Sequence, residues 1–213
     1  STVKLSQKTD YPWKGKVALT VHPGERKNFS LRLRVPGWAR NDAIPGSLYH
    51  YKDSGRESVK ITVNGKNTEA VQEDGYLVLD REWSAGDRVV LNMPMECRIV
   101  EANEKVEADR GKAAIQRVPI VYAAEWPDNK YGKVLNLVLD EESALNAEFK
   151  PDMLNGITVI KGKASRARET KDDQYQLYNN QTMKLIPYHV WANRGPGEMR
   201  VWLPVKKTAI PLD

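Results

Sequence analysis

Phe29-Ser30-Leu31-Arg32-Leu33-Arg34-Val35 decides the fold. Its apolar residues occupy every second position, so an extended chain puts Phe29, Leu31, Leu33 and Val35 on one face and Ser30, Arg32 and Arg34 on the other. The same rhythm returns in Val59-Lys60-Ile61-Thr62-Val63. There it is followed by Asn64-Gly65, a pair that readily takes the two positive φ values of a type I′ turn and so marks a hairpin end. Working outward, Val17, Leu19 and Val21 predict an earlier strand. Asp74-Gly75 precedes the strand-like Tyr76-Leu77-Val78-Leu79, and Ala85-Gly86-Asp87 precedes a run from Val89 to Met93.

The second half uses the same grammar less regularly. Short candidate strands run from Ala113 to Ile115, Ile120 to Ala123, Val134 to Leu139, Leu145 to Phe149, Ile157 to Ile160, Met183 to Ile186 and Met199 to Leu203. Twelve prolines and fourteen glycines punctuate the chain, and no long stretch keeps an uninterrupted helical period. The expectation is an all-β protein of two tandem antiparallel β-sandwich domains with little or no helix. A sandwich needs about 100 residues, so residues 1–103 and 104–213 are assigned one each. The joint is placed in the charged stretch Glu101 to Lys112. Ala39 to Glu57 reads as a long irregular insertion in the first domain, and Lys163 to Gln176 as a mobile surface loop.

Composition excludes several functional classes. The chain has 213 residues, 40% of them apolar, which is too many for a disordered protein and enough for a real core. No run of about 18 apolar residues is available to cross a membrane as a helix. One cysteine rules out a disulfide scaffold. The net charge of +5 divides nearly evenly between the halves, and basic residues alternate with acids, unlike the clustered patches that grip phosphates. Neither a nucleic-acid nor a membrane partner is expected. Ser1 to Asp10 has no basic start followed by an apolar stretch, so no signal peptide is expected there and the chain reads as an excised piece. The compartment stays open, with a periplasmic or secreted parent as the working expectation.

The chain carries few groups suited to catalysis. Cys97, His22, His50 and His189 are the soft metal ligands, and none is spaced as a ligand pair. Cys97 has no base near it in sequence and reads as a small hydrophobe at a strand end. There is no Gly-x-Ser-x-Gly elbow and no phosphate or dinucleotide fingerprint. The acids are numerous, but most lie beside turns or opposite lysines, as surface charges do. No catalytic residue, metal or cofactor is therefore assigned to this chain. The aromatic residues are more informative, since flat rings on a sandwich can stack on sugar faces. Trp38, Tyr49 and Tyr51 are candidates for such a platform, and Trp191 and Arg194 for docking or sugar contact. Packing is the competing role for all of them.

Several of these short motifs together carry a resemblance. Leu33-Arg34-Val35-Pro36-Gly37-Trp38-Ala39, Val63-Asn64-Gly65, Gly75-Tyr76-Leu77, Trp83 with Gly86-Asp87, and Met93-Pro94-Met95 follow in the order seen in glycoside hydrolase family 127. Gln116-Arg117-Val118-Pro119-Ile120-Val121-Tyr122, Asp128-Asn129 and the ending from Trp191 to Trp202 extend the likeness across nearly the whole chain. Val118 replaces a usual glycine, and His189 a usual aromatic residue. Known members include bacterial β-L-arabinofuranosidases. The resemblance implies an N-terminal α/α barrel followed by two β-sandwich domains, with a zinc-held cysteine nucleophile and glutamates in the barrel. This chain resembles only the sandwich part, so Cys97 is not carried over as the nucleophile. The implied function is a non-catalytic accessory fragment that braces the barrel of a parent cleaving L-arabinofuranosyl or related plant-glycan linkages. That parent is expected to be an enzyme and the chain alone inactive. The competing reading is an independent carbohydrate-binding module.

Overall fold

The computed structural model describes residues 2–169 and 175–205. Among the described residues there are eighteen strands, five short 3₁₀ turns and no α-helix, with every strand pairing antiparallel. The strands are β1 (Val3–Thr9), β2 (Lys16–Pro23), β3 (Lys27–Arg34), β4 (Tyr49–Tyr51), β5 (Lys60–Val63), β6 (Lys66–Asn67), β7 (Val71–Glu73), β8 (Tyr76–Trp83) and β9 (Asp87–Asn92). They continue with β10 (Cys97–Ala102), β11 (Lys112–Arg117), β12 (Ile120–Glu125), β13 (Leu137–Leu139), β14 (Asn146–Lys150), β15 (Ile157–Glu169), β16 (Tyr175–Pro187), β17 (Met199–Arg200) and β18 (Leu203–Pro204). They form two compact units, Ser1–Asp42 with Gly55–Met95, and Ala43–Ser54 with Glu96–Asp213.

The first unit is a sandwich of a five-stranded sheet, β1-β2-β9-β5-β6, and a three-stranded sheet, β3-β8-β7. Leu31 and Leu33 of β3 and Leu79 of β8 meet Leu19 and Val21 of β2, Ile61 and Val63 of β5 and Val89 and Leu91 of β9 in one core. The every-second-residue pattern therefore buries one side of each sheet against the other. Trp83 is fully buried there. Its indole N–H donates to Phe29 O at 2.9 Å, so the ring is buried without an unpaired donor. The expected hairpin end is present, with Asn64 at φ 51 and Gly65 at φ 78, and Asp74 (φ 48) and Gly75 (φ 81) repeat it. Asn64 also ties the turn to its neighbour: its side-chain N–H donates to Asp87 Oδ1 and its Oδ1 accepts from Arg88 N, both at 2.8 Å.

The second unit is one hydrogen-bonded network of ten strands, with the path β13-β15-β16-β12-β11-β10-β4 and with β14, β17 and β18 branching from it. It folds back on itself. Leu137 and Leu139 of β13 share a core with Leu203 of β18, Ile99 of β10, Ile115 of β11, Tyr122 of β12 and Met183 of β16. The division between the units falls after Met95, and the segment Ala43–Ser54 belongs to the second. Part of the expected irregular insertion is thus strand β4, paired to β10 with Tyr51 opposite Val100 and Tyr49 opposite Ala102.

The expected mobile loop from Lys163 to Gln176 is corrected by the structure. Lys163 to Glu169 continues β15, and Tyr175 and Gln176 begin β16, in a hairpin of two thirteen-residue strands. Residues 170–174 lie outside the described residues. The strand pattern was concealed because its buried positions are Gly162, Ala164 and Arg166. Arg166 reaches inward to donate to the carbonyls of Lys130 and Lys133, both at 2.8 Å, and to Asn136 Oδ1 at 2.9 Å. A buried guanidinium with such partners is tolerated, and it pins the loop that follows β12.

Candidate functional site

The outer face of β11 and β12 carries a groove of about 600 Å³ in the second unit. Val121, Tyr188 and Trp202 line it together with Asp109, Lys112 and Arg200. The local sequence explains the aromatic lining. Tyr188 to Val190 is a single 3₁₀ turn after Pro187, and residues three apart eclipse one another on such a turn. Tyr188 and Trp191 therefore stack, with ring centres 6.3 Å apart and planes 26° from parallel. Trp202 is backed by Tyr49 of β4 at 5.4 Å, and the Tyr49 hydroxyl donates to Asp109 Oδ2 at 3.2 Å. Its pKa is raised, first by burial and then by the Asp109 carboxylate. Lys112 Nζ donates to Ala108 O at 2.7 Å, and the Arg200 guanidinium donates to Leu135 O. Burial lowers the Arg200 pKa, with Glu198 working the other way.

The second unit also holds a buried charged cluster. Glu125 at the end of β12 is 1% exposed. One of its oxygens accepts from Ala192 N at 2.8 Å, and the other is gripped by the forked guanidinium of Arg194, which also holds Asp128. Asp128 further pairs with Lys184 at 3.3 Å. Burial works against the Arg194 charge, and Asp128 and Glu125 more than offset it, so its pKa is raised. Ala192 sits at φ 64, a backbone region that costs an alanine free energy, and its bond to Glu125 helps hold it there. Asn129 completes the clamp: its side chain donates to Glu125 O and Lys184 O and accepts from Lys184 N, at 2.9, 3.0 and 3.1 Å.

The structure separates the residues singled out from the sequence. Trp38 lies in the first unit, half-buried against its core, stacked on Tyr11 at 6.3 Å and 11° and donating to the Tyr11 hydroxyl at 3.3 Å. Tyr51 is buried in the second unit. Its hydroxyl donates to Gln116 Oε1 at 3.0 Å, and Arg98 lies over its ring at 3.9 Å, so its faces are not open to a sugar. Trp38 thus belongs to the first unit, and Tyr49 and Tyr51 to the second. Arg194 is occupied by Glu125 and Asp128. Tyr49 and Trp191 are brought to one groove, each packed on one of its lining rings. Tyr188, Asp109, Lys112 and Arg200 are not among the candidates read from the sequence, where Trp202 figures only as the end of the family-like segment. The spacing of Tyr188 to Trp191 was a usable signal for one of them, and no sequence signal marks the rest.

Cys97 opens β10 and packs against the second unit's core. Burial, partly offset by Arg117, pushes its thiol up to about 11, the opposite of an activated nucleophile. Among the described residues no group of three or more histidines, cysteines, aspartates or glutamates is arranged to hold a metal ion.

Residues 1–95 match the model of the GH127 middle domain of beta-L-arabinofuranosidases, and residues 97–204 match that of the glycoside hydrolase family 127 C-terminal domain. The chain belongs to glycoside hydrolase family 127. It is 34% identical, over 95% of its length, to a non-reducing end beta-L-arabinofuranosidase of Bifidobacterium longum, and spans 30% of that protein. A solved GH127 beta-arabinofuranosidase superimposes with a TM-score of 0.89 at 40% identity, covering 98% of this chain and 32% of its own. A GH127 beta-L-arabinofuranosidase from Geobacillus stearothermophilus T6 gives 0.80 at 37%, covering 95% and 30%. The chain thus spans about a third of the length of these family 127 relatives. Asp128-Asn129, which carries part of the resemblance read from the sequence, serves here in the clamp on Glu125, Lys184 and Arg194.

Proposed function

We propose that this chain is the non-catalytic β-sandwich portion of a glycoside hydrolase acting on β-L-arabinofuranosyl or related plant-glycan linkages, and that it braces an N-terminal α/α barrel supplied by the rest of the parent. The observation that carries this reading is the end-to-end match to the family's middle and C-terminal domains in a chain spanning about a third of its relatives. The Cys97 thiol, held protonated by burial, is consistent with it. In this reading the nucleophile and any zinc belong to the barrel, and no step of the reaction passes through the residues described above. The chain's contribution is mechanical: two closed apolar cores give rigid bodies on which a neighbouring domain can be held.

The test compares the purified chain with the full-length parent on aryl β-L-arabinofuranosides. The chain is expected to give no turnover above buffer, and the parent to turn over. A parent cut back before these domains is expected to melt lower and lose activity. Turnover by the chain alone at a rate near the parent's would overturn the proposal.

A further inference from the structure

We infer that the groove between Tyr188 and Trp202 is a saccharide-binding subsite for a short neutral oligosaccharide. A sugar ring presents a flat C–H face and a rim of hydroxyls, each able to donate and accept, and a receptor needs an apolar plane flanked by both kinds of polar group. The groove supplies these. Tyr188 is 44% exposed, and Trp202 lines the groove with it. Asp109 supplies acceptors, and Lys112 and Arg200 supply donors. Asp109 accepts from Tyr49, Lys112 donates to Ala108 and Arg200 to Leu135, and a carboxylate, an ammonium and a guanidinium each have capacity for more than one such bond.

Volume and rigidity point the same way. The space of about 600 Å³ is shallow and open to solvent, so it suits a sugar ring lying against its side rather than a ligand enclosed on all sides. Trp202 rests on Tyr49 and Tyr188 on Trp191, so both rings are held before a ligand arrives and little ordering remains to be done on binding. The charge pattern selects the ligand class. One carboxylate and two cations among the lining residues offer acceptors as well as donors, as a ring of hydroxyls requires, and such charged groups disfavour a purely apolar segment. A neutral polyol with an apolar face fits both constraints.

The choice of sugar rests on the proposed function; the groove and its chemistry do not. The test titrates the 213-residue chain with short arabinan oligosaccharides, and with xylo- and cello-oligosaccharides, by calorimetry and tryptophan fluorescence. We expect one saturable site with Kd on the order of 1 mM or tighter. Tyr188→Ala and Trp202→Ala should each weaken it by about tenfold or more, while Phe149→Ala, an exposed aromatic outside the groove, leaves it unchanged. Trp202 packs on Tyr49 and its loss can disturb the fold, so Tyr188→Ala on its exposed turn is the deciding variant. Saturation by any neutral oligosaccharide of the panel that is lost in Tyr188→Ala supports the inference. No saturation up to about 10 mM with any of them overturns it, as does binding indifferent to both variants. If Tyr188→Ala instead lowers the parent's melting temperature while no sugar binds, the groove is a contact with the rest of the parent and the inference falls. The proposed function is read separately, from turnover by the parent and the chain, so either can fail alone.

Discussion

Arg194→Ala isolates the buried charge cluster of the second unit. Its partner Glu125 is 1% exposed and Asp128 6%, whereas the guanidinium is 24% exposed. Removing one partner of a fully buried pair costs about 3–5 kcal/mol, because the remaining charge is left without compensation. Two features reduce that figure here. Solvent reaches the guanidinium, and Ala192 N still donates to Glu125 Oε1 at 2.8 Å after the substitution. We expect a loss of about 2–4 kcal/mol, or a fall in melting temperature of about 2–4 °C per kcal/mol for a chain of this size. Arg194→Lys keeps the charge but not the fork that spans Glu125 and Asp128, and should lose about half as much. Combining Arg194→Met with Glu125→Gln should recover most of the loss, since the uncompensated Glu125 charge is gone. Urea unfolding followed by tryptophan fluorescence reads these values, fitted with two transitions if the two units unfold separately. A cost below about 0.5 kcal/mol for Arg194→Ala would refute the reasoning and return Arg194 to the list of available ligand residues.

The other predictions concern packing and protonation. A Cβ on Gly197 would meet the Trp126 indole at 2.2 Å, so Gly197→Ala should cost about 1–3 kcal/mol, whereas Gly24→Ala, with nothing within 4 Å, should stay within about 0.5; thermal melts compare them. With its thiol pushed up to about 11, Cys97 should be alkylated by iodoacetamide at pH 8 at least about 100-fold more slowly in the folded chain than in urea. Because that pKa is raised from 9.0, the stability it contributes is full below about pH 9 and is lost as pH climbs towards 11. Burial alone would raise the pKa of Glu198, but Lys133 and the backbone N–H groups of Val134 and Leu135 lower it. Its stabilisation is therefore present above the ordinary 4.5 and lost as pH falls through the lower folded value. Glu198→Gln should flatten that acid limb and cost about 1–2 kcal/mol near neutrality, read from melts across pH 3 to 7.

What the sequence made legible follows from which faces are apolar. β2, β3 and β5 alternate because each has one side in the first core, β8 and β9 read as short apolar runs after turn residues, and Asn64-Gly65 punctuates them with its own backbone preference. β1 carries no such signal: five of its seven residues are exposed. β4 is three residues long, and its partner β10 lies some fifty residues away, so local pattern had nothing to report. At the groove, Tyr49 and Trp191 were noticed as aromatics, but Asp109 and Lys112 fell in a charged stretch taken for a joint between domains. Only tertiary pairing brings that stretch beside Tyr188 and Trp202.

One physical feature accounts for several of these misreadings. Arg98, Arg166 and Glu125 are charged residues that a sequence places on the surface, yet each is buried with a partner of the correct geometry. Arg98 lies over the Tyr51 ring and donates to Asp53 Oδ1 at 3.1 Å, fixing the chain that follows β4. Arg166 holds the loop after β12, and Glu125 holds the loop that carries Trp191 and Ala192. Such a pair is worth little in net stability when compared with apolar residues of the same volume, so its effect lies in fixing one loop conformation. Tyr188 and Trp191 stand just before Ala192, so the Glu125 carboxylate, a charge hidden from a pattern-based reading, ties the segment that carries one side of the groove to the end of β12.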